Sequence, residues 1–287
     1  MAVSTDSEDR VRDNRIFLAT RILAAIIVPF LLVAFYILYL RTSETGALFA
    51  WEIAAPMTSM MLATAYLGGA YFFTRAIFTP RWNRIAVGFL PVTAFASFLC
   101  IATLIHWDRF NQGHISFYAW FILYFTTPIL VFITWLRNRR TDDGAAESHD
   151  FRLPRGVRMV IAGFGAFYVV VAVLLLLNPG GMIDFWPWAL TPLTARVAGA
   201  MLALLGVFGL TIAADGRWSA CRIPLQSLLV ALTFGLIAAV RTWDTFDTTR
   251  WFTWVYLTTM IGLLVIVPVC TFLIERRLRS GGGPGAA

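Results

Sequence analysis

Residues 22–40 run without a single charged side chain. That is close to the ~20 apolar residues needed to cross a ~30 Å hydrocarbon core. In lipid, every backbone amide must find its partner inside the segment, so a run of this length is a helix. It lacks the alternation of a membrane β-strand. Only 14% of the 287 residues are charged and 59% are hydrophobic, too little polar surface for a soluble domain. The expected fold is an all-α membrane protein.

Hydropathy and turn signals predict eight transmembrane helices, at roughly 16–40, 54–76, 85–106, 115–136, 157–177, 192–214, 223–241 and 250–274. Thr191-Pro192 reads as an N-cap followed by Pro at the first helical position. Gly68, Gly69, Gly199 and Gly206 read as small residues that permit close helix packing. The first fifteen residues mix Asp, Glu and Arg, and the apolar run behind them is longer than a signal-peptide core. It reads as a retained first helix.

All 23 basic residues are Arg. Without Lys, a retinal or pyridoxal-phosphate Schiff base and a Walker-type phosphate loop are excluded. Arginine also orients the chain. One set of loops and ends carries Arg10, 12, 15, 75, 81, 84, 137, 139, 140, 152, 155, 158, 217, 222, 276, 277 and 279; the other carries only Arg41, 109, 241 and 250. By the positive-inside rule the first set is cytoplasmic, and an even helix number places both termini there. The expected location is the plasma membrane, and the lipid bilayer is the first partner. The net charge of +7 belongs to these loops and does not argue for nucleic acid. Cys100, Cys221 and Cys270 lie in or beside apolar spans, with no CxxC pair.

The chain reads as two related halves. Pro56-x-Thr58, Arg81-Trp82 and Trp107-Asp108-x-Phe110 reappear as Pro192-x-Thr194, Arg217-Trp218 and Trp243-Asp244-x-Phe246, all displaced by one and the same interval. Four helices per unit insert the second in the same orientation as the first. The repeats are therefore parallel, related by a pseudo-twofold axis along the membrane normal. The expected organisation is a first repeat at 1–140, a polar, mobile cytoplasmic linker at 141–156, a second repeat at 157–279 and a disordered Gly-rich tail at 280–287. In the linker, His149 reads as solvated.

Such an axis brings equivalent loops together, which singles out one outer-face cluster: Glu52, His106, Asp108, Arg109, His114, Arg196, Arg241, Asp244, Asp247 and Arg250. The Trp-Asp-x-Phe motifs read first as boundary anchors. An Asp past a helix C-terminus opposes the dipole, so Arg109, Arg241 or Arg250 is expected to offset it. His106, Asp108 and His114 are the one His/Asp grouping near a membrane face; two imidazoles and a carboxylate suit Zn or Cu, though interface histidines read more simply. Arg196 either snorkels or faces the bundle and pairs with Glu52, Asp108 or Asp244. Glu52 reads as a cap on the second helix. Arg21 and Arg158 read as snorkelling to the cytoplasmic face. No catalytic motif, metal or cofactor is assigned.

Three functions compete: an accessory or scaffolding protein without a substrate, a transporter or small-solute binder with an outer-face charged site, and an enzyme acting on a lipid at the outer leaflet. The first expects a membrane-protein partner or a homo-oligomer.

Overall fold

The computed structural model describes residues 13–148 and 150–280. Arg10, Arg12, His149 and the tail from 281 onward lie outside the described residues. Among those described, the chain is all-α. Its long helices are α1 Leu18–Leu40, α2 Pro56–Phe78, α3 Ala86–Ile105, α4 Ile115–Asn138, α5 Arg155–Leu177, α6 Pro192–Asp215, α7 Trp218–Arg241 and α8 Trp251–Ser280. Thr191 caps α6 with a reciprocal Thr191–Thr194 capping box and Pro192 in the first turn, as its sequence predicts. Gly216 ends α6 with a left-handed φ of 73°, a conformation that suits Gly.

Seven of these helices are long and apolar enough to cross a membrane; α2 is not among them. It is 23 residues long but carries Thr58, Ser59, Thr64, Tyr66, Gly68, Gly69 and Tyr71. The reason is its position. Fourteen of its residues are buried, against three of 30 in α8. A helix surrounded by other helices meets side chains rather than lipid, so it can carry hydroxyls and glycines that a lipid-facing helix avoids.

Antiparallel neighbours pack as α1–α2, α3–α4, α5–α6 and α7–α8. The halves join chiefly through α2 against α7 and α3 against α6, with smaller contacts of α2 with α6 and of α3 with α7. The centre is therefore α2, α3, α6 and α7, with the other four outside. Small residues set the spacing. A Cβ on Gly206 would stand 2.8 Å from the Gly165 carbonyl oxygen, and one on Gly68 would stand 3.0 Å from the Ser227 oxygen. Gly199 meets α5 in the same way, 3.1 Å from the Ala172 oxygen.

The same local bonds recur in both halves, at the interval of the sequence motifs or a single position beyond it. Asn111 N–H donates to the Ala50 carbonyl and Asp247 N–H to the Pro187 carbonyl, both at 2.8 Å. Trp82 N–H donates to Asn14 and Trp218 N–H to Phe151, at 2.7 and 2.8 Å. Arg15 bridges Arg81 as Arg152 bridges Arg217. Trp51 contacts Phe110 and Trp120 at 5.1 and 4.7 Å; Trp188 contacts Phe246 and Tyr256 at 5.3 and 5.4 Å.

Candidate functional site

At the arginine-poor end, α3 and α7 each close with a 3₁₀ turn, Trp107–Arg109 and Trp243–Thr245. Each turn drives its Phe inward and its Asp outward. Phe110 and Phe246 are buried in the two aromatic groups, whereas Asp108 and Asp244 are exposed. Asp108 meets Arg109 at 3.6 Å, with both side chains more than 70% exposed. Among the described residues Asp244 enters no ion pair, so the expected offset of the helix dipole is made at one motif and not at the other. Arg241 lies instead over the Tyr39 ring, 5.5 Å from its centroid. Arg250 pairs with Asp247 at 2.8 Å and donates to the Trp186 carbonyl at 2.5 Å, which fastens the loop before α6. Hydrogen bonds from Thr249, and then the charge of Arg250, hold the Asp247 carboxyl below the usual carboxylate range.

Arg196 meets none of the carboxylates expected of it; its guanidinium reaches back toward the outer ends of the helices, where Nη1 also donates to the Pro192 carbonyl at 3.3 Å. Its Nε donates to the Leu176 carbonyl at 2.9 Å, in the last turn of α5, and its Nη1 lies 2.8 Å from His106 Nε2. A guanidinium can only donate, so His106 Nε2 accepts and this imidazole is neutral, with its proton on Nδ1. The cation sits at the negative end of the α5 dipole, which is why it needs no carboxylate. It thereby ties α6 to the end of α3, across the two halves. His114 is occupied elsewhere, as the N-cap of α4 accepting from Ser116 N–H at 3.3 Å. Glu52 is exposed, and it does not cap α2, whose N-cap is Ala55. The residues singled out by the sequence thus do not form one cluster: His106 bonds Arg196 beside the exposed Asp108–Arg109 pair, and Arg250 pairs with Asp247.

Arg21 and Arg158 also have definite partners. Arg21 donates to the Ile77 and Thr79 carbonyls, and Arg158 to those of Ala213 and Ala214. Each caps the C-terminal end of the neighbouring helix, where a cation is favoured.

The densest polar constellation lies at the opposite, arginine-rich end, around the two Arg-Trp motifs. Arg84 grips Glu147 with a two-pronged fork, at 2.9 and 2.7 Å, and Arg81 approaches the same carboxylate at 3.6 Å. Asn83 Nδ2 donates to Glu147 at 3.1 Å and to Ser219 Oγ at 3.4 Å. Ser219 in turn donates its hydroxyl to Asp150 at 2.6 Å. Asn83 and Ser219 are 136 residues apart, which is the repeat interval, so each touches the position equivalent to itself. Arg217 is only 5% exposed and donates all five of its N–H groups: two to Asp142, two to Asp215 and one to the Ala145 carbonyl. The Arg84 fork pulls the Glu147 carboxyl down to about 2, against the opposing effect of burial. The same kind of bonding from Asp215 and Asp142 raises the Arg217 pKa further.

The linker expected to be mobile is therefore fastened to both halves, by Glu147 to the first and by Asp142 and Asp150 to the second. The sequence carries a faint signal of this: acids at 142, 147 and 150 stand in the chain's most arginine-rich surroundings. Nothing in their spacing says which arginine each one meets. Four buried polar atoms lack a partner among the described residues: the indole nitrogens of Trp51, Trp82 and Trp186, and Asn83 Oδ1. No protein-family model, curated protein or solved structure matches this chain.

Proposed function

We propose that this chain is an accessory or scaffolding protein of the cell membrane, built from two parallel four-helix units with both termini cytoplasmic. The observation that carries the reading is how the hydroxyl side chains inside the bundle are used. They bond one another and neighbouring backbone: Tyr124 to Tyr66 at 2.8 Å, Trp120 to Thr103 at 2.9 Å, Trp188 to Thr58 at 2.8 Å, Ser59 to the Leu38 carbonyl at 2.8 Å and Ser227 to the Gly68 carbonyl at 2.7 Å. Around them Met60, Leu62, Phe73, Phe89 and Leu99 are fully buried. An interior of this kind fixes helices against one another, whereas a solute path needs polar groups turned toward water.

The finer topology rests on three supports. At about 1.5 Å per residue α2 extends roughly 34 Å, enough for an eighth span. The bonds that recur at the repeat interval, and the exchanged contacts α2–α7 and α3–α6, favour a pseudo-twofold arrangement of parallel repeats. The arginine asymmetry favours a cytoplasmic face at the Arg-Trp motifs. In this reading Asp108 and Asp244 are solvated helix ends.

The test is cysteine accessibility in proteoliposomes, with Cys100, Cys221 and Cys270 replaced. Cysteines placed at Ala63, Tyr66 and Ala203 are expected to resist membrane-impermeant thiol reagents from both sides. Labelling of these positions from either side would reveal a water path and overturn the scaffold in favour of a transporter.

A further inference from the structure

An open groove of about 500 Å³ lies between the start of α5 and the end of α6, lined by Arg155, Arg158, Met159, Ala162, Leu210, Ala213 and Ala214. Its chemistry is graded. Arg155 and Arg158 stand at the mouth. Met159 and Ala162 follow along α5, roughly 6 and 10 Å beyond Arg155 at 1.5 Å per residue, and Leu210 lies at a similar depth on α6. Among the described residues neither arginine meets a carboxylate. Arg158 uses Nε and Nη2 on the carbonyls of Ala213 and Ala214, which leaves its Nη1 without a hydrogen-bond partner among the described residues.

We propose that this groove binds an anionic phospholipid, its phosphate between Arg155 and Arg158 and the start of an acyl chain along Met159, Ala162 and Leu210. Two cations at a membrane edge, above an apolar floor, complement this ligand in both charge and polarity. The first unit provides an internal contrast. Arg158 has its counterpart in Arg21, which caps α2 in the same way. Ala162 likewise has Ala25 as its counterpart, but the positions at the mouth differ. Counting back by the repeat interval, which is a single position longer in α5 than in α6, Arg155 corresponds to Leu18, Ala213 to Ile77 and Ala214 to Phe78. Capping therefore accounts for the shared arginine only. The second cation and the two alanines at the end of α6 that open the space belong to the second unit alone. The inference rests on the proposed orientation only for the leaflet that supplies the lipid, which would be the cytoplasmic one.

The experiment is native mass spectrometry of the full chain in mild detergent, with phosphatidylglycerol, phosphatidylcholine or inorganic phosphate added. The native chain is expected to retain one phosphatidylglycerol in preference to phosphatidylcholine, and excess inorganic phosphate is expected not to displace it. Arg155→Leu lowers that retention about fivefold, the effect of one arginine at an anionic surface. Ala214→Phe, which keeps the charge, lowers it as well. Arg140→Leu, with the same loss of charge outside the groove, leaves it unchanged. Conversely, Leu18→Arg with Ile77→Ala and Phe78→Ala raises the count from one lipid to two. Equal retention of the two lipids, displacement by inorganic phosphate, or an equal effect of Arg140→Leu would overturn the site. Labelling of Ala146→Cys in intact cells tests the orientation separately, because lipid retention in detergent does not depend on it.

Discussion

The two ends of the bundle use charge differently. At the arginine-poor end the ionic groups act singly or in exposed pairs, such as Asp108 with Arg109. At the arginine-rich end they interlock, with one buried guanidinium holding two carboxylates that are 14% and 15% exposed. Exposed pairs add little, because water and salt screen them. A buried cation must be fully hydrogen-bonded, so removing it strands its partners. The end that the sequence repeat highlights most visibly is thus the electrostatically looser one, and the linker end is where ion pairs fasten the linker to both halves.

The comparison is broken most severely at Arg217. Arg217→Met is expected to cost about 3–5 kcal/mol, because Asp142 and Asp215 lose their shared cation. Thermal unfolding in detergent measures it, and an effect no larger than that of Arg109→Ala would erase the contrast between the ends. Arg196→Met, which installs the residue found at the equivalent Met60, is expected to cost about 1–3 kcal/mol by leaving the Leu176 carbonyl without its donor. Hydrogen exchange at the end of α5 should rise with it.

Glu147→Gln sharpens the comparison through pH. The folded pKa of about 2 lies below the ordinary 4.5, so the ionised carboxylate stabilises the fold. That contribution is complete above about 4.5 and is lost as pH falls toward 2. The native chain should lose stability through this window, read as rising hydrogen exchange of the linker, and the Gln variant should lose less. The smallest effect is expected for Asp108→Asn, within about 0.5 kcal/mol. Normal expression and folding with loss of a cellular activity would return Asp108 to a functional role.

Much of the architecture is legible in the sequence, because lipid imposes rules that act along the chain. Seven apolar helices, the Thr191-Pro192 start and the close-packing role of Gly68, Gly199 and Gly206 follow from local pattern. Length and turn signals reveal α2 although its composition falls short, since its burial is a property of the assembled bundle and not of the segment. Helix ends are less legible: α7 begins at Trp218 rather than near 223, and α8 continues to Ser280. Pro224 sits inside α7, where its missing N–H removes one bond without ending the helix. The polar networks are mostly hidden. The partner of Arg196 is a histidine 90 residues away, and Glu147 meets Arg84 across 63 residues. Pairings of that kind are decided by which helices become neighbours, which no local spacing encodes.

The joining of the halves at the linker end is tested most directly by the contact between Asn83 and Ser219. With Cys100, Cys221 and Cys270 replaced, Asn83→Cys and Ser219→Cys are introduced together and treated with a short bifunctional thiol reagent. Rapid cross-linking within one chain, unaffected by dilution, is the predicted result. Two freely labelled thiols with no cross-link, or a cross-link formed only between copies, would contradict it.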